Sequence, residues 1–150
     1  MEPEALRKLE WYELIERSHV VVAARSKGCS LSSARTRYKM AEITSITSSN
    51  IVLLYDGKYS YKLSIEDNHR VYRYGGGSEY LFYAGSEYDL YIETQRLVNV
   101  LTPKGKSKLD AYTDCPEAIA DELCLDPSKV KYAHLSFLSL ERLQSLVAHR

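Results

Sequence analysis

The sequence predicts an α+β fold: an N-terminal helix, a central antiparallel β-barrel or sandwich of about seven strands, and a C-terminal helical segment. Three observations predict it. Asp56-Gly57 stands between two β-favouring runs, Ile51–Tyr55 and Lys58–Ile65, and such a pair favours a tight hairpin because both turn residues need positive φ. Short β-prone runs with turn residues between them continue to about residue 101. Beyond a Lys-rich stretch, helix caps and 3.6-residue apolar spacing take over. With 150 residues, 45% of them hydrophobic, one domain suffices to bury a core.

The elements follow in order. Residues 4–18 read as a helix: Pro3 fits its start, Glu2 and Glu4 suit the positive end of the dipole, and Ala5, Leu6, Leu9, Tyr12 and Ile15 form a stripe. Val20–Ala24 is the first strand of a β core covering residues 20–101. Residues 25–37 read either as a short helix capped by Ser30 or as a basic loop. Met40–Ile46 is a strand, Thr47–Asn50 a turn, and the hairpin follows. In its second arm Tyr59, Tyr61, Leu63 and Ile65 alternate with Lys58, Ser60, Lys62 and Ser64, giving one buried and one wet face.

Strands are then expected at Arg70–Tyr74, Glu79–Tyr83, Tyr88–Glu93 and Arg96–Leu101. Gly75-Gly76-Gly77 separates the first two. The segment Gly77–Ala84 is echoed by Gly85–Ile92, both opening Gly-Ser-Glu-Tyr, which reads as the two arms of a hairpin. Residues 102–108 form a linker, and 109–150 the helical segment. Asp114 would cap a helix reaching Leu123, with Pro116 in its first turn. Ser139 would cap a helix from Leu140 to His149, with Leu140, Leu143, Leu146 and Val147 on one stripe. Residues 128–138 read equally as helix or strand.

The 20 basic and 20 acidic residues cancel, which argues against strong non-specific nucleic-acid binding. The charge is nevertheless segregated. Residues 18–40 hold Arg25, Lys27, Arg35, Arg37 and Lys39 with no acid, and 104–108 hold Lys104, Lys106 and Lys108, whereas 109–127 hold six acids and no base. Local cationic patches can contact phosphate. The three cysteines lack Cys-x-x-Cys spacing, and the acidic N-terminus does not read as a signal peptide, so an intracellular protein with reduced thiols is expected. No apolar run approaches the roughly 18 residues of a membrane span, and no membrane partner is expected.

No catalytic set is legible. The histidines are scattered without metal-ligand spacing, so neither a metal nor a cofactor is expected. Asp56-Gly-Lys58 with Glu42 upstream has the acid-x-Lys spacing of metal-dependent nucleases, but the hairpin turn explains it better. Gly75–Gly77 lacks the following Lys-Ser/Thr of a phosphate loop.

Pro116–Leu135 resembles a helix-turn-helix. Ala120 is small where two helices would cross, Leu123 and Leu125 flank the turn, and Val130 lies where a second helix would contact the first. The tight turn would fall on Cys124, which then takes positive φ at a steric cost. The resemblance implies that Ser128, Lys129, Lys131 and Tyr132 meet base edges or flanking phosphates. The resulting expectation is a small nucleic-acid-binding or regulatory protein, with DNA or RNA as partner. It would use Arg25, Lys27, Arg35, Arg37, Lys39, Lys104 and Lys106 for phosphate and the 128–134 region for bases. The alternative is a protein–protein interaction or structural accessory module that pairs with itself or with another protein.

The 13 tyrosines permit a further reading. Tyr59, Tyr61, Tyr72, Tyr74, Tyr80, Tyr83, Tyr88 and Tyr91 fall in the β region, and aromatic rings beside Arg70 and Arg73 can stack bases. Tyrosine is also a good strand residue that packs its ring and wets its hydroxyl. Glu79, Glu87, Asp89 and Glu93 nearby would repel phosphate, so packing is the preferred reading.

Overall fold

The computed structural model describes residues 4–26, 36–73, 77–108 and 110–150. Its centre is a closed antiparallel barrel of six strands: β2 (His19–Ser26), β3 (Arg37–Ile46), β4 (Asn50–Tyr55), β5 (Tyr59–Ile65), β6 (Val71–Arg73) and β7 (Ser78–Ala84). Neighbours pair in chain order, and β7 closes the ring by pairing with both β6 and β2. A seventh strand, β1 (Arg7–Leu9), continues along the β6 side of β7. The β4–β5 hairpin closes at Tyr55 and Tyr59 around three residues: Asp56 (φ 54°) and Gly57 (φ 67°) take the positive φ of the turn, and the Lys58 N–H donates to the Tyr55 carbonyl at 3.0 Å.

Strand alternation divides the apolar residues between two cores. Val20 and Val22 of β2, Ile51 and Leu53 of β4, Leu63 of β5, Val71 of β6 and Phe82 of β7 point into the barrel. Val21, Ala23 and Tyr83 point outward and are covered by helices. This is why β2 reads as an unbroken apolar run: both of its faces are buried.

The covering layer is α1 (Glu87–Leu101), α2 (Pro116–Leu123) and α3 (Leu140–Ala148), with 3-10 turns at Pro127–Lys129 and Tyr132–Phe137. Ser139 caps α3 by accepting from the Arg142 N–H. The Tyr83 hydroxyl accepts the N–H of Leu140 at 3.1 Å, tying the barrel wall to the start of α3. Burial holds that phenol protonated, well above its ordinary range. Among the described residues, no helix is long and apolar enough to cross a membrane.

Four expectations are corrected. Residues 4–18 are not a helix: Arg7–Leu9 is strand β1, and Trp11–Glu16 is a 3-10 turn. Pairing with β7 and insertion of Leu14 (0% exposed) into the barrel override the helical stripe, a tertiary preference beating a local one. Tyr12 and Ile15, expected on that stripe, are exposed.

Residues 88–93 and 96–101 are not strands but one helix, α1, and the echoed segment is therefore not a hairpin arm. Ser86 caps α1 by accepting the Asp89 N–H at 3.1 Å, and Leu90, Thr94, Leu97 and Val98 form its buried face at helical spacing. Gly85 makes the strand-to-helix switch at φ +103°, where an added Cβ would lie 3.1 Å from Leu6 Cδ1.

The cap residue of α2 is Cys115, not Asp114. Finally, Cys124 does adopt left-handed backbone (φ 57°, ψ 44°), but a regular second helix does not follow it. Residues 128–138 instead form two short 3-10 turns separated by a single bridge between Tyr112 and Lys131.

Candidate ligand site at the open end of the barrel

The two ends of the barrel differ. One is plugged by Leu14, which packs among the inward-facing aliphatic residues. At the other, the inward positions change chemistry. Arg37 and Lys39 of β3, Tyr59 and Tyr61 of β5 and Arg73 of β6 face a cavity of about 550 Å³. Tyr55 and Tyr80 form its walls, Val22 and Ala24 reach its floor, and Ser26 and Ser78 complete the lining. The positions 37-39, 59-61, 22-24-26 and 78-80 share the strand parity of the core residues beyond them. The cup is thus the continuation of the barrel interior.

The rings and cations are packed together. Tyr55 and Tyr61 meet edge to face with centroids 5.2 Å apart. The Arg73 guanidinium lies 5.3 Å from the Tyr61 centroid, and Lys39 Nζ lies 5.8 Å from that of Tyr55. Burial pushes the Tyr55 and Tyr80 phenols up from their ordinary range. Both hydroxyls therefore stay protonated near neutrality and can donate to an anion or to a base edge.

Among the described residues, no carboxylate lines the cup. Asp56 sits at its edge and pairs with Lys39 at 2.7 Å. Both partners are half exposed, so the pair contributes little to stability. Among the described residues, Arg37 and Arg73 have no carboxylate within ion-pair distance. The described residues of the mouth therefore carry positive charge in excess, although the whole chain has none.

A second depression, of about 350 Å³, has balanced charge. Trp11 stacks on His69 at its side (centroids 5.0 Å apart). Its floor holds Arg25, Arg70, Glu79 and Glu122, which neutralise one another. Arg25 donates to Glu79 at 2.8 Å, to Glu122 at 2.9 Å and to the Phe137 carbonyl. Arg70 donates to both Glu79 oxygens, at 2.6 and 2.8 Å. Glu122 also accepts the N–H and hydroxyl of Ser139, both at 2.8 Å. This cluster joins the outer barrel wall to α2 and the start of α3.

The residues expected to contact nucleic acid are thus dispersed. Arg37 and Lys39 reach the cup. Arg25, one strand position out of phase with them, is 3% exposed and committed to the ion cluster, so it is not available to phosphate. Lys27 and Arg35 lie outside the described residues. Lys104, Lys106, Ser128 and Lys129 are exposed but line no part of the cup. Ser128 is held by Asp126, which accepts from both its N–H and its hydroxyl. Lys131 lies over the Tyr112 ring, and Tyr132 is buried in the helix-side core. Tyr132 cannot present its ring to a groove.

In the sequence Arg73, Tyr59, Tyr61 and Tyr80 stand out, with packing the preferred reading of the tyrosines, and Tyr55 does not. The signal that separates them is parity: counted in register with Leu63 and Val22, these residues share the inward face. Among the described residues, no group of three or more His, Cys, Asp and Glu side chains could hold a metal ion.

Fold and cup together define the class: a small α+β protein whose closed six-stranded antiparallel barrel is plugged at one end and opens at the other into a cationic, tyrosine-lined cup. Compared with protein-family models, with curated proteins and with solved structures, the chain finds no match.

Proposed function

We propose that this protein binds nucleic acid as an unpaired strand, using the open end of its barrel. The observation that carries this reading is the set of three cations on inward-facing barrel positions, around four tyrosines, with no carboxylate among the described lining residues. Core packing does not call for cations there, because inward positions of small barrels are ordinarily filled by apolar side chains. Phosphate neutralisation and base stacking on aromatic rings are the two components of single-strand recognition. A duplex is disfavoured, since its bases are already stacked on one another.

The test is fluorescence anisotropy with an internally labelled single strand of about twelve nucleotides, a length within the range such sites cover. Binding is expected at about 50 mM salt. Three phosphate contacts on a single strand give log Kobs against log salt a slope of about −2. Arg37→Ala combined with Arg73→Ala is expected to weaken binding about tenfold or more and to flatten the slope to about −0.7. Absence of binding at low salt, or an unchanged slope in the double variant, overturns the proposal.

One observation favours a second reading, a protein-interaction module. Tyr88, Tyr91 and Ile92 lie on one face of α1 and are 70%, 50% and 47% exposed. Apolar patches of this kind mark contact surfaces when they are contiguous. On that reading light scattering finds a dimer or higher oligomer, and Tyr88→Lys with Ile92→Lys returns it to a monomer. A monomer at all concentrations removes the self-association form of this reading.

A further inference from the structure

The cup is graded from floor to rim. Beneath Val22 and Ala24 the barrel is filled by Val20, Ile51, Leu53 and Leu63, each at most 1% exposed. Tyr55 and Tyr80 come next, 9% and 8% exposed. Tyr61 is half-buried, and Tyr59, Arg37, Lys39 and Arg73 are exposed at the rim. The more buried tyrosines therefore lie deeper in the cup, and the exposed cations and Tyr59 lie at its rim.

A strand that passes through a site needs a way in and a way out. Among the described residues, this site opens on one side, because Leu14 and the aliphatic layers close the other end. Its volume of about 550 Å³ is enough for a small ligand, in a cup that stays open to solvent. The interior of a strand cannot enter a dead end without folding back on itself, whereas a strand terminus can. We infer that the cup takes a single terminal nucleotide, base inward and phosphate at the rim, so that the protein recognises the end of an unpaired strand. This inference rests on the single-strand reading above and specifies its ligand.

The experiment compares a linear strand of about twelve nucleotides carrying a 5′-phosphate with the same sequence closed covalently into a circle, both labelled internally. It adds competition by free nucleoside monophosphates and by inorganic phosphate. The circle is expected to bind about tenfold or more weakly than the linear strand. Nucleoside monophosphates are expected to displace the linear strand at concentrations where inorganic phosphate does not, because a base that stacks contributes affinity beyond charge. Tyr61→Ala, which removes the half-buried ring packed edge to face on Tyr55, is expected to weaken mononucleotide competition about fivefold or more, with an unchanged urea midpoint showing that the fold is kept.

Equal binding of circle and line overturns end recognition and leaves strand binding standing. A preference for the linear strand without displacement by mononucleotides also overturns it, since the end then binds outside the cup. Displacement by inorganic phosphate as effective as by nucleotides reduces the cup to an anion site and overturns the inward base. If neither strand binds at low salt, this inference falls together with the reading beneath it.

Discussion

Arg25→Ala is expected to destabilise the protein by about 3–5 kcal/mol, the range for removing one partner of a buried, hydrogen-bonded ion pair. The guanidinium is 3% exposed and donates to Glu79, Glu122 and the Phe137 carbonyl. Its loss leaves the Glu79 carboxylate, itself 5% exposed, with Arg70 as its remaining cation, and leaves the Phe137 carbonyl without this donor. The measurement is a urea titration at neutral pH, in which the midpoint falls while the slope is retained. An unchanged midpoint would show that the cluster contributes nothing net.

The same cluster sets a pH dependence. Burial acts to raise the Glu79 carboxyl, but hydrogen bonds from Arg70 and the charges of Arg25 and Arg70 outweigh it and hold the group below its ordinary value. A carboxyl lowered on folding contributes stability above its unfolded pKa, about 4.3, and loses that contribution as pH falls through the folded value. The wild-type midpoint should therefore decline below about pH 4, and Glu79→Gln should remove part of that decline.

Leu14→Ala is expected to cost about 2–5 kcal/mol, the range for truncating a fully buried leucine. The side chain is 0% exposed and seals the barrel against Val20, Ile51 and Leu63. For a chain of this size, that corresponds to a fall in Tm of roughly 5–15 °C. A position at the end of a barrel could close by inward movement of the 3-10 turn that carries it, which would place the cost at the lower limit. A fall of less than about 1 kcal/mol would mean that the turn is not the plug it resembles.

Much of the barrel was legible because its signals are local. Asp56-Gly57 and the alternation of 58–65 specify a hairpin irrespective of the rest of the chain. The Gly-Ser-Glu-Tyr echo shows the limit of such reasoning. The same four residues open β7 at 77–80 and α1 at 85–88. What distinguishes them is the continuation: Leu81-Phe-Tyr-Ala buries residues on both faces, whereas Leu90, Leu97 and Val98 bury one helical face. Residues 4–18 misled for a different reason, because their partner is β7, some 75 positions away.

The site was half legible. Arg37, Lys39 and Arg25 stand out alike by charge, yet the barrel places the first two inside its mouth and the third in a neutralised seam. A count of charges along a segment carries no information about which side of a strand each one occupies. Only closure of the sheet makes inward and outward different places.

The ring also has an order of assembly. Strands β3 to β6 follow one another through short turns and can form as soon as they leave the ribosome. The ring cannot shut until Ser78–Ala84 arrives to pair with β2, β6 and β1 together. Until then β2 and β6 present open edges, and the Leu14 turn has no seat. Such long-range closure slows folding. This strand is therefore the clasp of the molecule, and a lesion in it should reveal itself as a slow, aggregation-prone refolding phase more than as a local defect.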